Sequence, residues 1–251
     1  MEKTDIKVSF TILTHNETDE LRRLLEQIKN IKTIWDEVVI VDDFSTNEIT
    51  NEILSWAKTD ESIQAKVFQR KLEGDFASQK NYAHSQCKND YIFNVDSDEL
   101  LDDNLAKTFR EILFINPDVE YFRLPRVNKV EGITLAHINK WGWQISQQRT
   151  EIEDATLTPE SELFKIIKSF NLIINEDKGV FKFYTPIINF PDAQGRIYKR
   201  LPNIQWQNKV HEVVVGYKKF SNFPNDKKFA ILHYKNIEKQ VNQNTFYSTI
   251  Q

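Results

Sequence analysis

The sequence predicts an α/β protein: a mainly parallel central sheet flanked by helices. Three observations carry that expectation. Short runs of β-branched and aromatic residues recur through the first half. Segments with apolar residues at helical spacing separate them. The runs themselves are apolar throughout rather than alternating. A strand covered on both faces has no polar side to present, so unbroken apolar runs go with a parallel sheet under helices.

The elements follow in order. Residues 7–13, with Val8-Ser9-Phe10-Thr11-Ile12-Leu13, form the first strand. Thr18 is placed to cap the next helix, with Asp19 and Glu20 in the first turn, where backbone N–H groups lack partners. Leu21, Leu24, Leu25 and Ile28 give that helix one buried face. Val38-Val39-Ile40-Val41 is the second strand, and Ile49, Ile53 and Ala57 mark the second helix. Val67-Phe68 lies in a third strand, residues 76–85 form a short helix, and residues 91–95 form a fourth strand. Leu105, Phe109, Ile112 and Leu113 mark another helix, and residues 121–124 close the half.

The second half is less regular. Trp141-Gly142-Trp143 is followed by a polar stretch over 144–162 and a helix-like segment over 163–170. Strand-like runs come at 180–184, 196–198, 213–217 and 230–233, with no internal repeat or low-complexity tract. The expected organisation is a single domain in two halves, 1–125 and 126–234, the second an α+β region on the same sheet. Residues 235–251 read as a polar tail with aromatic punctuation, and the abrupt end suits a piece of a longer chain.

Composition sets bounds. The 251 residues are 40% apolar and 12% aromatic, and 17 Phe and 5 Trp against 6 Gly exclude a disordered chain. A net charge of −4 gives no overall basic field for nucleic acid, although a local patch stays open. Cys87 is the sole cysteine, so no internal disulfide forms and a reducing compartment fits. The start, Met1-Glu2-Lys3-Thr4-Asp5, has no secretory character, and no apolar run approaches the roughly 20 residues that span a bilayer. A soluble, cytoplasmic protein is expected, with peripheral membrane contact through the tail left open.

Parallel sheets bind ligands beyond the carboxyl ends of their strands. Thr14-His15-Asn16, Asp42-Asp43-Phe44-Ser45 and Asp96-Ser97-Asp98-Glu99 each follow a strand, so all three are expected to line one crevice. The last is the most informative. Acidic triplets are common in solvated loops, but this one closes a buried strand and is followed by apolar Leu100-Leu101. Like charges this close repel unless a cation or proton lies between them. Asp96 and Asp98 therefore suit a divalent cation with oxygen ligands, which would hold a diphosphate and neutralise it on departure. An EF-hand is excluded, because Leu101 stands where its loop needs Gly; dinucleotide and P-loop glycine fingerprints are absent.

The other clusters admit two readings each. Asp42-Asp43 is either a pair of acids at a helix start or a base-binding pair, with Asp42 accepting from a base N–H and Asp43 facing ribose or loop. Thr14-His15-Asn16 would serve the same base. The segment Gly74-Asp75-Phe76-Ala77-Ser78-Gln79-Lys80-Asn81 opens a helix whose start can face an anion, with Lys80 approaching a diphosphate; an ordinary capped helix with exposed Lys explains it equally. Late in the chain come Asp192, Arg196, Val210-His211-Glu212 and His233. A lone His on an apolar strand most often packs in a core, but imidazole is a good Mn²⁺ ligand beside carboxylates. Trp141, Trp143 and Trp206 can stack on a sugar ring, with core packing the commoner fate.

Together, Phe10-Thr11-Ile12-Leu13-Thr14-His15-Asn16-Glu17, Val39-Ile40-Val41-Asp42-Asp43-Phe44-Ser45-Thr46 and residues 74–81 leading into Asp96-Ser97-Asp98-Glu99 resemble the family 2 glycosyltransferases of the GT-A fold. More loosely, residues 74–81, Arg196-Ile197-Tyr198-Lys199-Arg200 and Val210-His211-Glu212 resemble the lipopolysaccharide-core β-glucosyltransferase type and related peptide S-glycosyltransferases. The resemblance implies a Rossmann-like GT-A sheet. It makes 1–125 the nucleotide-sugar-binding half and 126–234 the acceptor-binding and catalytic half. It assigns Thr14, Asn16 and Asp42, with Asp43, to uracil and ribose. It assigns Asp96 and Asp98, with Ser97 between them, to metal and diphosphate, and His233 to the late metal position. Glu212 best matches the catalytic base and Asp192 is the rival; Lys80, Arg196 and His211 fall on the donor side. The implied reaction is inverting transfer of a hexose from a nucleotide sugar, UDP-glucose by family frequency, to a hydroxyl acceptor, a saccharide by default, with Mn²⁺ or Mg²⁺. Lys80 stands where the family usually has Arg, which keeps the charge and loses a bidentate contact. Residues 126–180 carry none of these motifs and are expected to set the acceptor. The alternative is a non-catalytic sugar-nucleotide or glycan-binding module on the same fold. A phosphohydrolase fits less well, because Glu99-Leu100 occupies the place of the Thr such enzymes use.

Overall fold

The computed structural model describes residues 6–146 and 152–250. In chain order the first half runs β1 (Val8–Thr14), α1 (Asp19–Ile31), β2 (Glu37–Asp42), α2 (Glu48–Thr59), β3 (Lys66–Gln69), α3 (Phe76–Ser85), β4 (Tyr91–Asn94), β5 (Glu99–Leu101), α4 (Asp103–Ile115) and β6 (Tyr121–Leu124). The remainder runs β7 (Arg126–Glu131), α5 (Leu135–Trp141), β8 (Ile145–Ser146), β9 (Ile152–Thr156), α6 (Glu162–Ser169), β10 (Ile173–Asp177), β11 (Val180–Tyr184), β12 (Ile187–Ile188), β13 (Gln194–Lys199), β14 (Gln205–Gln207), β15 (Val213–Val215), β16 (Phe220–Asn222), β17 (Ile231–Asn236) and α7 (Ile237–Ile250).

The central sheet has the order β16-β6-β13-β4-β1-β2-β3. β1 pairs in parallel with β2 and β4, and β2 with β3. Only β13 is reversed, antiparallel to both β4 and β6. Alternate residues of each strand face opposite layers. Val38 and Ile40 join Phe10, Ile12 and Phe93 under α1, α2 and α4, whereas Val39 and Ile92 face Ala77 of α3 and Trp206 and Val214 of the β14–β15 hairpin. Phe10, Phe93 and Phe109 pack ring to ring at 5.5–6.3 Å. The apolar strand runs are thus explained by cover on both sides.

Two further sheets are built mainly from the second half. β5-β17-β7-β12-β8 stands beside the carboxyl edge of the central sheet, and β10-β11-β9 packs with α5 and α6 around a separate core containing Phe164, Ile167, Phe181 and Phe183.

Several local expectations change. Thr18 precedes α1 but makes no side-chain cap bond. Asn47 caps α2, and Ile49 is exposed while Thr50, Ile53, Leu54 and Ala57 form the buried face. The polar stretch 144–162 contains β8 and β9, with 147–151 outside the described residues. The segment read as a polar tail is built of two elements over residues 235–250: β17 continues to Asn236, and Asn236 Oδ1 accepts the Lys239 N–H at 2.8 Å at the start of α7. Trp206 is 5% exposed and sits in the α3 core, which removes it from the sugar-stacking candidates.

Candidate functional site

The three strand-end clusters meet at one edge. Parallel pairing puts Thr14 level with Asp42, and the Asp43 N–H donates to Thr14 O at 2.9 Å. β4 lies on the other side of β1, with the Val95 N–H donating to Thr11 O.

On the β1–β2 side, much of the polar chemistry builds the crevice wall. Asn16, in a left-handed conformation (φ 57°), accepts the Thr46 and Asn47 N–H groups on Oδ1 at 2.8 and 2.9 Å. Asp42 is fully buried and accepts from Ser45 Oγ at 2.5 Å and Gln69 Nε2 at 3.3 Å. Asp43 is half-buried and accepts the Leu72 N–H at 2.9 Å. Thr14 is 4% exposed, and its Oγ1 has no hydrogen-bond partner.

The acidic turn is held from three directions. Ile197 of β13 sits opposite Phe93 of β4, and a register shift between Gly195 and Ile197 makes Arg196 the extra residue of a bulge. Bulges re-aim side chains. Gly is required at 195, since a Cβ there would lie 1.7 Å from Tyr121 Oη. Arg196 Nη2 thereby reaches Asp96 Oδ2 and Glu99 Oε1, each at 2.6 Å, while its buried Nε has no partner. Glu99 is 1% exposed; it also takes Arg126 Nη1 at 3.3 Å and the Asp96 N–H at 3.2 Å. Sequence reasoning gave Glu99 no role beyond following the turn. The structure makes it the hub of the turn.

From the second direction, Asn81 locks the β14–β15 hairpin to α3 by exchanging two bonds with the Trp206 backbone, at 2.8 and 2.9 Å. The hairpin loop then delivers Glu212 to Lys80 Nζ at 2.5 Å, and Lys80 lies 3.8 Å from Asp96 and 4.4 Å from the Trp206 ring centroid. Lys80 is 4% exposed, so the exposed-lysine reading of this helix does not hold. His211, beside Glu212, is exposed and faces the Tyr247 ring at 6.0 Å.

From the third direction, antiparallel pairing of β17 with β5 sets His233 opposite Glu99 and brings its Nε2 to 3.5 Å from Asp98 Oδ2. His233 Nδ1 lies 2.8 Å from Asn128 Oδ1, a contact that fixes the ring with Nε2 facing Asp98. Asp192 accepts from Asn128 at 2.6 Å, Arg126 at 2.8 Å and Gln194 at 2.8 Å. Ser97 is buried at the apex of the turn.

Electrostatics keep the turn ionised. Burial works to raise the Asp96 carboxyl, but Arg196 and Lys80 outweigh it and hold the group well below the usual carboxylate range. Burial likewise opposes the charge on Asp98, and His233, Lys239 and Lys235 overcome it. Asp192 is lowered too: burial raises it, and Arg126, Asn128 and Gln194 prevail. Burial pushes Lys235 down to about 8 against the pull of Asp98.

α7 bridges the site. Lys239 Nζ sits 3.3 Å from Asp98 Oδ2 and 2.8 Å from Glu17 Oε2, and Tyr247 packs on Phe76 at 5.8 Å. Neither Lys239 nor Asn128 was a sequence candidate. Asn236 as a cap was the available signal for the helix, and nothing local marks Asn128.

For a cation, the donor chemistry fits in part. Among the described residues no group of three or more His, Cys, Asp or Glu converges on one position. Asp98 and His233 pair, while Asp96 is turned toward Arg196 and Lys80. Two protein donors suit an ion that completes its shell with phosphate and water. Among the described residues no helix is long and apolar enough to cross a membrane.

Comparison with known proteins gives the family and the fold. An uncharacterized glycosyltransferase of Rickettsia typhi is 38% identical over 99 residues, covering 39% of this chain and 30% of that protein. The lipopolysaccharide core biosynthesis glycosyltransferase LpsC of Rhizobium meliloti is 28% identical over 121 residues, 48% of this chain and 42% of that one. The chain therefore aligns with less than half the length of these relatives. Residues 1–349 of S. aureus TarS, in complex with UDP-GlcNAc, superpose with a TM-score of 0.55 at 16% identity, over 91% of this chain and 58% of that one, a likeness of fold. The model of Glycosyl transferase family 2 matches residues 9–168, and the chain, with its GT-A fold, belongs to that family.

Proposed function

We propose that the chain is an inverting glycosyltransferase that moves a hexose from a UDP-sugar, glucose as the first candidate, to the hydroxyl of a saccharide acceptor. The observation that carries this reading is the acidic turn, held ionised between Arg196, Lys80 and His233 directly beside the β1–β2 crevice. Thr14 Oγ1, buried and without a partner, ends β1 in that crevice, and Arg196 Nε, likewise buried and unpartnered, lies on β13 behind the acidic turn.

Thr14, Asn16, Asp42 and Asp43 form the uridine end, with Asp43 the more accessible acid. Mn²⁺ or Mg²⁺, when bound, would be held by Asp98 and His233 and would neutralise the diphosphate. Lys80 and Arg196 stabilise negative charge on the leaving group, with His211 at the rim of the same side. Glu212 accepts the acceptor hydroxyl proton as the oxygen attacks the anomeric carbon, and Lys80 orients its carboxylate. Asp192 is the weaker base, because three donors already occupy its oxygens.

Two variants test this. D98A abolishes both transfer and Mn²⁺-dependent UDP binding, read by calorimetry. E212Q keeps UDP binding and loses transfer. Wild-type turnover in D98A refutes the site, and wild-type turnover in E212Q moves the base to Asp192.

A further inference from the structure

We infer that Trp141, Trp143 and His137 form an aromatic shelf that binds the acceptor, and that the acceptor is therefore an oligosaccharide rather than a single sugar. The inference rests on the glycosyltransfer reading and adds the class of acceptor.

The shelf is built rather than incidental. His137 is fixed by the capping box of α5: its Nδ1 lies 2.9 Å from Thr134 Oγ1, and its own N–H donates to that oxygen at 3.2 Å. Gly142 closes α5 in the left-handed region (φ 64°), and the Trp143 N–H then donates back to Ile138 O at 3.0 Å. That reversal folds Trp143 onto the helix end. The result is three rings in series. His137 stacks on Trp141 at 5.1 Å and 20°, and Trp141 meets Trp143 at 4.7 Å and 50°. Both indoles are half-buried, and among the described residues neither indole N–H has a hydrogen-bond partner.

Its position connects it to the chemistry. His233, Asn128, Ile188 and Ile145 occupy one row across β17, β7, β12 and β8. Residues level in a row point to the same face. The Asp98-binding His233 starts the row, and Ile145, two residues from Trp143, ends it. Three strand spacings put the ends roughly 14 Å apart. Ile188 and Ile145 belong to the core beneath α5 and α6, so the segment carrying the shelf stands on the site's own face of this sheet.

The chemistry selects the ligand. A pyranose presents an apolar C–H face to an aromatic ring and hydroxyls at its rim to an indole N–H. An acyl chain would cover the rings and leave both N–H groups unpaired, a loss in a desolvated contact. Three strand spacings, roughly 14 Å along the row from Ile145 to His233, exceed the span of one pyranose ring and match a short chain of sugars.

The test uses ¹H–¹⁵N spectra of the full chain without donor, following the indole N–H signals during titration with cellotetraose, maltotetraose and glucose. The expected result is a saturable shift of the Trp141 and Trp143 signals with at least one tetrasaccharide and a much weaker response to glucose. W141A lowers that affinity at least tenfold, and W141F, which keeps a ring and loses the N–H, falls between. Melting curves and UDP affinity serve as the folding controls. Unmoved indole signals with both tetrasaccharides overturn the inference, as does unchanged binding in folded W141A or W141F. Because no donor is present, failure of the glycosyltransfer reading would appear separately, as absent UDP binding by the wild type.

Discussion

Replacing Glu99 by Gln isolates what organises the acidic turn. The carboxylate is buried and meets Arg196 at 2.6 Å, Arg126 at 3.3 Å and the Asp96 N–H at 3.2 Å. Gln keeps the shape and one carbonyl oxygen for that N–H, but removes the negative charge between two guanidinium groups. Stripping a buried charge of its only partner costs about 3–5 kcal/mol. Here Arg196 keeps Asp96 and Arg126 keeps Asp192, so the loss is smaller, about 2–3 kcal/mol, the range of a charge-assisted bond. For a domain of this size each kcal/mol moves the melting point by about 2–4 °C, which gives a drop of roughly 4–12 °C. Thermal melts of E99Q, R126M and the double variant measure it, and the cycle should show a coupling above about 1 kcal/mol. Melting of E99Q with the wild type, or losses that add within about 0.5 kcal/mol, would refute the hub.

Two other perturbations probe the rim. Lys239 stands on Asp98, the oxygen a cation would take, so K239M should tighten Mn²⁺ binding without nucleotide. A partly exposed pair is worth about 1 kcal/mol, or roughly fivefold in Kd; weaker or unchanged binding in an electron-spin titration counts against the contact. Asp192 is held below its ordinary value of 3.8, so its contribution to stability is complete above that value and is lost as the pH falls through the lowered one. D192N should therefore flatten the acid limb of the urea midpoint against pH, and parallel profiles for the two proteins would contradict this.

Local chemistry made much of the first half legible. The helix at 76–85 has the bounds expected, because Asp75 caps it by accepting the Ser78 N–H at 2.8 Å. The four strands β1 to β4 follow from apolar runs that only a doubly covered sheet explains, and the strand-end rule brought residues from 14, 42 and 96 to one edge. Caps were less reliable: Thr18 has the right side chain, but its backbone conformation leaves it without the bond.

What stayed hidden is the long-range pairing that aims the side chains. Arg196 is aimed by a bulge against β6, His233 by pairing with β5, and Asn128 by a strand parallel to β17; none of these leaves a local pattern. α7 escaped for a different reason. Its apolar residues make no stripe, and it is fixed by polar and aromatic contacts instead: Lys239 to Glu17 and Asp98, Lys235 to Gln243, and Tyr247 to Phe76. A helix held that way has little apolar area committed to its place, so it opens at lower cost than α1 or α4, whose leucines are wholly buried. Its key contact is an ammonium on the very carboxylate that a cation would claim. The lysine thus ties α7 across the acidic turn, and a divalent ion, were one held at Asp98, would replace the charge that ties it.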